Sequence, residues 1–260
     1  MSVPITEKPT DLARMEHWES VWKDTAIVRG FSSLNYYDYR LAAIFQPFVT
    51  RGSTVLEIGC GGSRWIGFFA RAMQCETWGI DYSAEGLRIT RQENAHFPNV
   101  HLVKGDFFDD SLLPSDQFDL VYSLGFIEHF TETAVVTRRM MDLLRPGGRA
   151  MTLVPNFLGA YGAIQKRVNR PTFEKHVIID CAKLDEAHVV AGMQPLISAH
   201  YFGCFGPGVV DYGRWQRLVL PPVKVLQHLW CWSLHGMHLD RESRLRSPYI
   251  VGVYEKPKQS

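Results

Sequence analysis

Hydrophobic positions along this chain change their period several times, and each change marks an element. Asp11–Trp22 carries Trp18, Val21 and Trp22 on one helical face. Leu34–Gln46 is a second helical stretch, stopped by Pro47, with Tyr36, Tyr37 and Tyr39 near its start. From residue 53, short apolar runs alternate with longer amphipathic ones. Thr54–Ile58 is a β-branched, apolar strand that stops in glycines. A helix over about Ser63–Gln74 follows, then a short strand, Glu76–Ile80, ending in Asp81. Val100–Asp106, Phe118–Ser123 and Arg149–Val154 read as three more strands, the last entered from a turn at Leu144–Gly148. Residues 156–180 have little periodicity. Leu184–Met193 is a helix closed by Gly192, and Pro195–Gly203 alternates as a strand. Residues 206–246 form an insertion containing Gly, Pro, Trp and His, and Pro248–Tyr254 is a last apolar strand. This order predicts an α/β fold: a doubly wound, mostly parallel seven-stranded sheet with helices on both faces.

The most informative stretch is Thr54–Gly62, TVLEIGCGG. A buried strand runs into a turn without side chains and then a helix, with Glu57 two positions before the first glycine. Glycines let the backbone approach a ligand closely, and the helix aims free N–H groups at it. Such a turn alone is shared by many nucleotide folds. Asp81 adds to it, because an acid one βαβ unit further on accepts hydrogen bonds from a ribose diol. The bland alternative for Asp81 is a solvated helix cap before Ser83.

Glu57-Ile58-Gly59-Cys60-Gly61-Gly62-Ser63 resembles the acidic-x-Gly-x-Gly-x-Gly motif of the class I S-adenosylmethionine-dependent methyltransferases, with Ser63 in the place of the third glycine. VHLVKGD, FDLVYS followed by LGFIEHF, and LRPGG come next in that family's order, so the resemblance covers about residues 53–155. It implies S-adenosylmethionine as cofactor, S-adenosylhomocysteine as product, and a last strand that is antiparallel. It implies that the backbone at Gly59, Cys60 and Gly61 meets the methionine moiety and that Glu57 supports the turn through hydrogen bonds or reaches the amino group through water. Asp81 would hold the ribose, Tyr82 flank the adenine, and Asp106 and Phe107 address it. Ser123 would offer its carbonyl to the methionine amino group. Core packing is the competing reading for Tyr82 and Phe107. His129, in Glu128-His129, is the best-placed candidate base, since histidine titrates near neutral pH. His176 is a second candidate. The competing readings are a packed, backbone-bonded histidine for His129 and a surface histidine for His176.

The expected organisation is one domain over 1–260: an N-terminal helical cap (1–52), a cofactor-binding core (53–155), and substrate-side insertions (156–180 and 206–246). With 260 residues, 46% hydrophobic and 21% charged, the composition is that of an ordinary globular chain. A formal charge of +1 with no long basic run argues against nucleic acid as partner. Cys60, Cys75, Cys181, Cys204 and Cys231 form no CxxC pair, so free thiols and no metal are expected. The polar start MSVPITEKPTDLARMEHW is unlike a signal peptide, which points to the cytoplasm. Pro221, Pro222, Lys224 and His228 interrupt Leu218–Leu234 too often for a membrane span. A place on a membrane surface stays open for that stretch.

Trp18, Trp22, Tyr36, Tyr37 and Tyr39 are the candidate substrate-binding residues. With the aromatics of the later insertions they tilt the reading towards a small, partly apolar or aromatic metabolite of specialised metabolism. The acceptor atom (O, N, S or C) and the oligomeric state leave no mark in the sequence. Methylation of a protein or RNA is the competing enzyme reading, and a non-catalytic cofactor-binding scaffold the reading from another class. A nicotinamide oxidoreductase lacks its Tyr-x-x-x-Lys.

Overall fold

A computed structural model describes residues 8–23 and 30–258. The parts of the expected cap at 1–7 and 24–29 lie outside the described residues. Seven strands form one sheet: β1 (Thr54–Ile58), β2 (Glu76–Asp81), β3 (Val100–Lys104), β4 (Phe118–Leu124), β5 (Leu144–Pro155), β6 (Gln194–Phe202) and β7 (Tyr249–Glu255). Their order is β3-β2-β1-β4-β5-β7-β6. The first five are parallel, and β7 runs antiparallel to both β5 and β6. The doubly wound, mostly parallel fold is therefore the observed one.

Period-two alternation divides the core between the two faces of this sheet. Leu56, Ile58, Val121 and Val154 pack with Met140, Leu143 and Leu184 on one side. Val55, Leu120, Tyr122 and Met151 pack with Leu41, Phe45, Trp65 and Phe69 on the other. The first group meets helices α5 (Thr133–Leu143) and α8 (Cys181–Val190), and the second α2 (Tyr36–Phe45) and α3 (Trp65–Gly67). The strand order reverses between β1 and β4, so the segments leaving their carboxyl ends turn opposite ways and leave a crevice.

Four stretches depart from expectation. Residues 144–148, expected as a turn, are the start of β5, bulged between the pairs Phe118 with Leu144 and Leu120 with Arg149. The helix after the glycine turn is only α3, which continues as a π-helical turn, Phe68–Ala72. Residues 156–180 hold two short helices, α6 (Ala160–Val168) and α7 (Arg170–Phe173). The insertion folds as one 21-residue helix, α9 (Gln216–Gly236), with Pro221 and Pro222 inside it. Two of the remaining helices frame the crevice. They are α1 (Arg14–Lys23) and α4 (Ala84–Asn94), the latter capped by Ser83, whose hydroxyl accepts the Gly86 N–H at 3.0 Å.

Candidate active site

Beyond β1 the chain turns through Gly59 (φ +71°), Cys60, Gly61 and Gly62 (φ +62°). The turn is fastened from β2. Gly59 and Cys60 donate their N–H groups to the Ile80 carbonyl at 2.9 and 3.2 Å. Gly61 N–H donates to Asp81 Oδ2 at 2.7 Å. A Cβ on Gly59 would stand 2.8 Å from the Phe126 ring, and one on Gly61 2.7 Å from the Trp22 indole nitrogen. The turn is thus bare backbone because Phe126 and Trp22 pack directly on it, and what they leave open lines the cavity.

Glu57 is buried beneath it. Its Oε2 accepts hydrogen bonds from the hydroxyls of Tyr122, at 2.8 Å, and Ser63. Ser63 Oγ in turn accepts the N–H groups of Trp65 and Ile66 at 3.0 and 3.3 Å. The serine in the place of the third glycine therefore caps α3 and ties it to Glu57. Burial pushes the Glu57 carboxyl up to about 7, against the pull of those two hydroxyls.

Asp81 is held by two backbone donors, Gly61 N–H and, at Oδ1, Ser83 N–H at 2.8 Å. Its remaining lone pairs face a cavity of about 320 Å³, large enough for a compact ligand. Glu57, Gly59, Gly61, Asp81, Tyr82, Asp106, Phe107, His129, Trp18 and Trp22 all line it. Tyr82 donates its hydroxyl to Asp11 Oδ2 at 3.0 Å. Asp106 pairs with Lys8 and accepts the Phe108 N–H at 3.0 Å. Phe107 meets Phe126 edge to face, with ring centroids 5.7 Å apart. Four carboxylates against Lys8 and Arg64 suit a ligand that carries positive charge.

Burial lifts the Asp81 carboxyl to about 6, although its two backbone donors oppose this. A carboxyl raised in this way is anionic above that pH and protonated below it. If the anion is the form that grips a ribose, S-adenosylmethionine affinity is about tenfold weaker near pH 5 than near pH 8. Calorimetry across that range checks the prediction, and a flat profile contradicts it.

Six expected site residues lie outside the cavity lining. The Cys60 side chain packs with Ile66 and Leu87 beneath the turn. Ser123 sits inside the ladder, opposite Ile58 and Thr152, because β4 runs on to Leu124. Leu124 and Gly125 reach the cavity in its place. Tyr36, Tyr37 and Tyr39 are turned the other way, against the insertion. Tyr36 is fully buried with Cys204 and Cys231, Tyr37 donates its hydroxyl to the Phe205 carbonyl at 2.6 Å, and Tyr39 packs on Trp232. His176 stands behind His129, their ring centroids 4.5 Å apart.

Both histidines are locked by backbone. His129 Nδ1 donates to the Lys175 carbonyl at 2.9 Å and His176 Nδ1 to that of Thr172 at 2.7 Å, which leaves each Nε2 as an acceptor. Burial pushes His129 down to about 3 and His176 to about 4, each further lowered by neighbouring positive or titrating groups. His129 is therefore neutral near pH 7 and a poor store for a proton. Burial lifts its neighbour Glu128 to about 8. One ligand atom each from Glu128, His129 and His176 lies within 4.8 Å of the others. The 3.9 Å from His129 Nε2 to Glu128 Oε1 exceeds the roughly 3.3 Å between ligands around a tetrahedral ion. As placed, the three are mostly neutral near pH 7: each histidine bonds a backbone carbonyl, and Glu128 Oε2 is buried without a hydrogen-bond partner among the described residues.

Sequence reasoning missed Phe126 and Phe130, which line the cavity on either side of Glu128-His129. Their spacing in LGFIEHF was the available signal. It also missed Glu19, whose carboxylate accepts the N–H groups of Ala84 and Glu85 at 2.6 and 3.2 Å and so caps α4 from α1. No local pattern announces that contact.

The switch-point crevice, the bare turn and the strand-end acids are the arrangement of the class I, S-adenosylmethionine-dependent methyltransferase fold. Residues 55–148 match the protein family described as "Methyltransferase domain". The chain is 31% identical over 110 residues to a demethylmenaquinone methyltransferase of Staphylococcus carnosus, a match spanning 40% of this chain and 44% of that one. It is 26% identical over 151 residues to a ubiquinone biosynthesis O-methyltransferase of Albidiferax ferrireducens, spanning 57% and 59% respectively. These matches cover less than two thirds of either relative. Among solved structures, phosphoethanolamine N-methyltransferase 2 of Haemonchus contortus, in complex with S-adenosyl-L-methionine, has a TM-score of 0.60 at 14% identity, covering 95% of this chain and 59% of that one. A putative methyltransferase of Haloferax volcanii, solved with the Trm112 activator, has a TM-score of 0.62 at 16% identity, covering 96% and 99%. At such identities the likeness is one of fold.

Proposed function

We propose that this chain is a cytoplasmic, single-domain methyltransferase of specialised metabolism, acting on a small, partly apolar or aromatic metabolite. The observation that carries the reading is the cavity itself. The bare Gly59–Gly61 turn and Asp81 line it together with the rings of Trp18, Phe126, His129 and Phe130. Aromatic walls of this kind bury a flat acceptor and exclude water. The quinone methyltransferases among the relatives support an acceptor of that shape. When bound, S-adenosylmethionine supplies a sulfonium methyl that an acceptor lone pair displaces in line, leaving S-adenosylhomocysteine. The residues of this chain have to align the two and keep water away, which needs no strong base. His129, neutral and fixed by Lys175, offers Nε2 as a hydrogen-bond acceptor for an acceptor hydroxyl or amine.

Incubation with methyl-labelled S-adenosylmethionine and separate pools of quinols and phenols, protein, and RNA tests this. Label in the small-molecule pool supports the reading. Label confined to protein or RNA replaces it with a macromolecular substrate. Cofactor binding with no transfer to any pool replaces it with a scaffold role.

Trp18 packs edge-on against His129, with centroids 5.2 Å apart, and lies alongside Trp22. Trp18→Ala is expected to raise the acceptor KM about tenfold. Cofactor affinity should change by less than about threefold. Steady-state kinetics beside calorimetry separates the two, and an unchanged KM removes Trp18 from the acceptor wall.

A further inference from the structure

Helix α9 exposes what helices of this amphipathicity normally bury. Leu218, Val225, Leu226, Leu229, Trp230 and Met237 are all exposed, Leu218 by 70% and Leu226 by 64%. With Pro222 and Ser233 they occupy one side, spanning roughly 140° of the helix at 3.6 residues per turn. Only the opposite side is packed, through Gln227 and Cys231. No described residue covers the apolar side.

Charge indicates what does. Arg214 and Arg217 precede the exposed stripe, and Arg241, Arg244 and Arg246 follow it, all exposed. Leu239 and Leu245, also exposed, extend the apolar surface among the last three. The acids nearby are already engaged. Asp240 and Glu242 accept hydrogen bonds from Arg40 at 3.0 and 3.1 Å, and Asp211 from Asn169 and Thr172 at 2.9 and 2.7 Å. A chain of formal charge +1 thus concentrates arginine around this apolar face. A second copy of this surface would set arginine against arginine, and of the acids just named only Asp211, bound to the neutral Asn169 and Thr172, would offset it. An anionic lipid surface complements both features at once, with headgroups for the arginines and the acyl boundary for the leucines and Trp230.

We propose that α9 and residues 237–246 form a docking surface for an anionic membrane, on which the helix lies flat. No helix among the described residues is long and apolar enough to cross a membrane, so the contact is interfacial. The dock is joined to the acceptor side of the cavity. Asp211, at the entrance to α9, binds Asn169 and Thr172, and the segment from there leads to His176 behind His129.

Co-sedimentation with phosphatidylcholine vesicles, with and without roughly one phosphatidylglycerol in three, tests this in the full chain. Binding to the anionic vesicles is expected, falling at least tenfold with neutral lipid or with raised salt. The double variant Leu226→Glu, Leu229→Glu should lose at least tenfold in partition, and Arg241→Gln with Arg246→Gln should weaken the salt dependence. Neither pair lines the cofactor cavity, so S-adenosylmethionine affinity and the thermal melt serve as controls for folding. They also keep a failure here distinct from a failure of the methyltransferase reading. Protein left in solution with both vesicle types overturns the proposal. So does a dimer by light scattering that Leu226→Glu, Leu229→Glu dissociates while vesicles go unbound, or RNA binding without vesicle binding.

Discussion

Asp81→Ala should lower affinity for S-adenosylmethionine by two to three orders of magnitude, on the order of 3–4 kcal/mol. Two ribose hydroxyls lose a charged acceptor, and hydrogen bonds to charged groups are worth about 1.5–3 kcal/mol each. The same change frees Gly61 N–H and Ser83 N–H, which now donate to Asp81 at 2.7 and 2.8 Å. That lowers stability by about 1–3 kcal/mol and loosens the turn. Asp81→Asn separates the two effects, because its amide oxygen can keep one backbone donor while the charge is gone. Its affinity should fall at least tenfold with a smaller change in melting temperature. Calorimetry on both variants reads the binding. Wild-type affinity in Asp81→Ala would remove this carboxylate from the cofactor site.

Gly59→Ala carries the second large effect. At φ +71° an alanine is strained by about 1–3 kcal/mol, and its Cβ would press on Phe126 from 2.8 Å. Phe126 has little room to yield, since Phe107 and Phe130 hold it at centroid distances of 5.7 and 5.0 Å. The expected outcome is a melting temperature lower by several degrees and cofactor binding weakened by about a hundredfold. Gly30→Ala is the comparison: a Cβ there meets nothing within 4 Å, so neither quantity should change. Equal behaviour of the two variants would mean that the turn is not a close-approach surface.

The sequence revealed most where function depends on local backbone. A β-branched run, a glycine turn and acids at strand ends are determined by neighbours in the chain. Glu57, Asp81 and Asp106 therefore reach the cavity as their motifs imply. Ser123 misses it because the ladder with β5 extends β4 to Leu124, a matter of pairing between distant segments. Tyr36, Tyr37 and Tyr39 share a helix start that gives no sign of whether the site or the insertion will claim it. Arg40 decides it, reaching Asp240 and Glu242 some 200 positions away. Two prolines hid α9, yet they fall near its start, where they leave most of its length unbroken. Trp18 and Trp22 reached the cavity because α1 lies across α4, which only the folded chain establishes.

The fastening of α1 has a consequence in time. Glu19 holds the first N–H groups of α4, and Trp22 lies against Gly61 and Gly86, over the floor on which the donor would rest. A donor seated on that floor is closed in by the helix that also sets Trp18 against His129. Loading should therefore follow a compulsory sequence, donor before acceptor, with S-adenosylhomocysteine the last to leave and its escape setting the turnover rate. Product inhibition by S-adenosylhomocysteine should then be competitive against the donor and noncompetitive against the acceptor. Glu19→Ala should speed turnover while weakening donor retention.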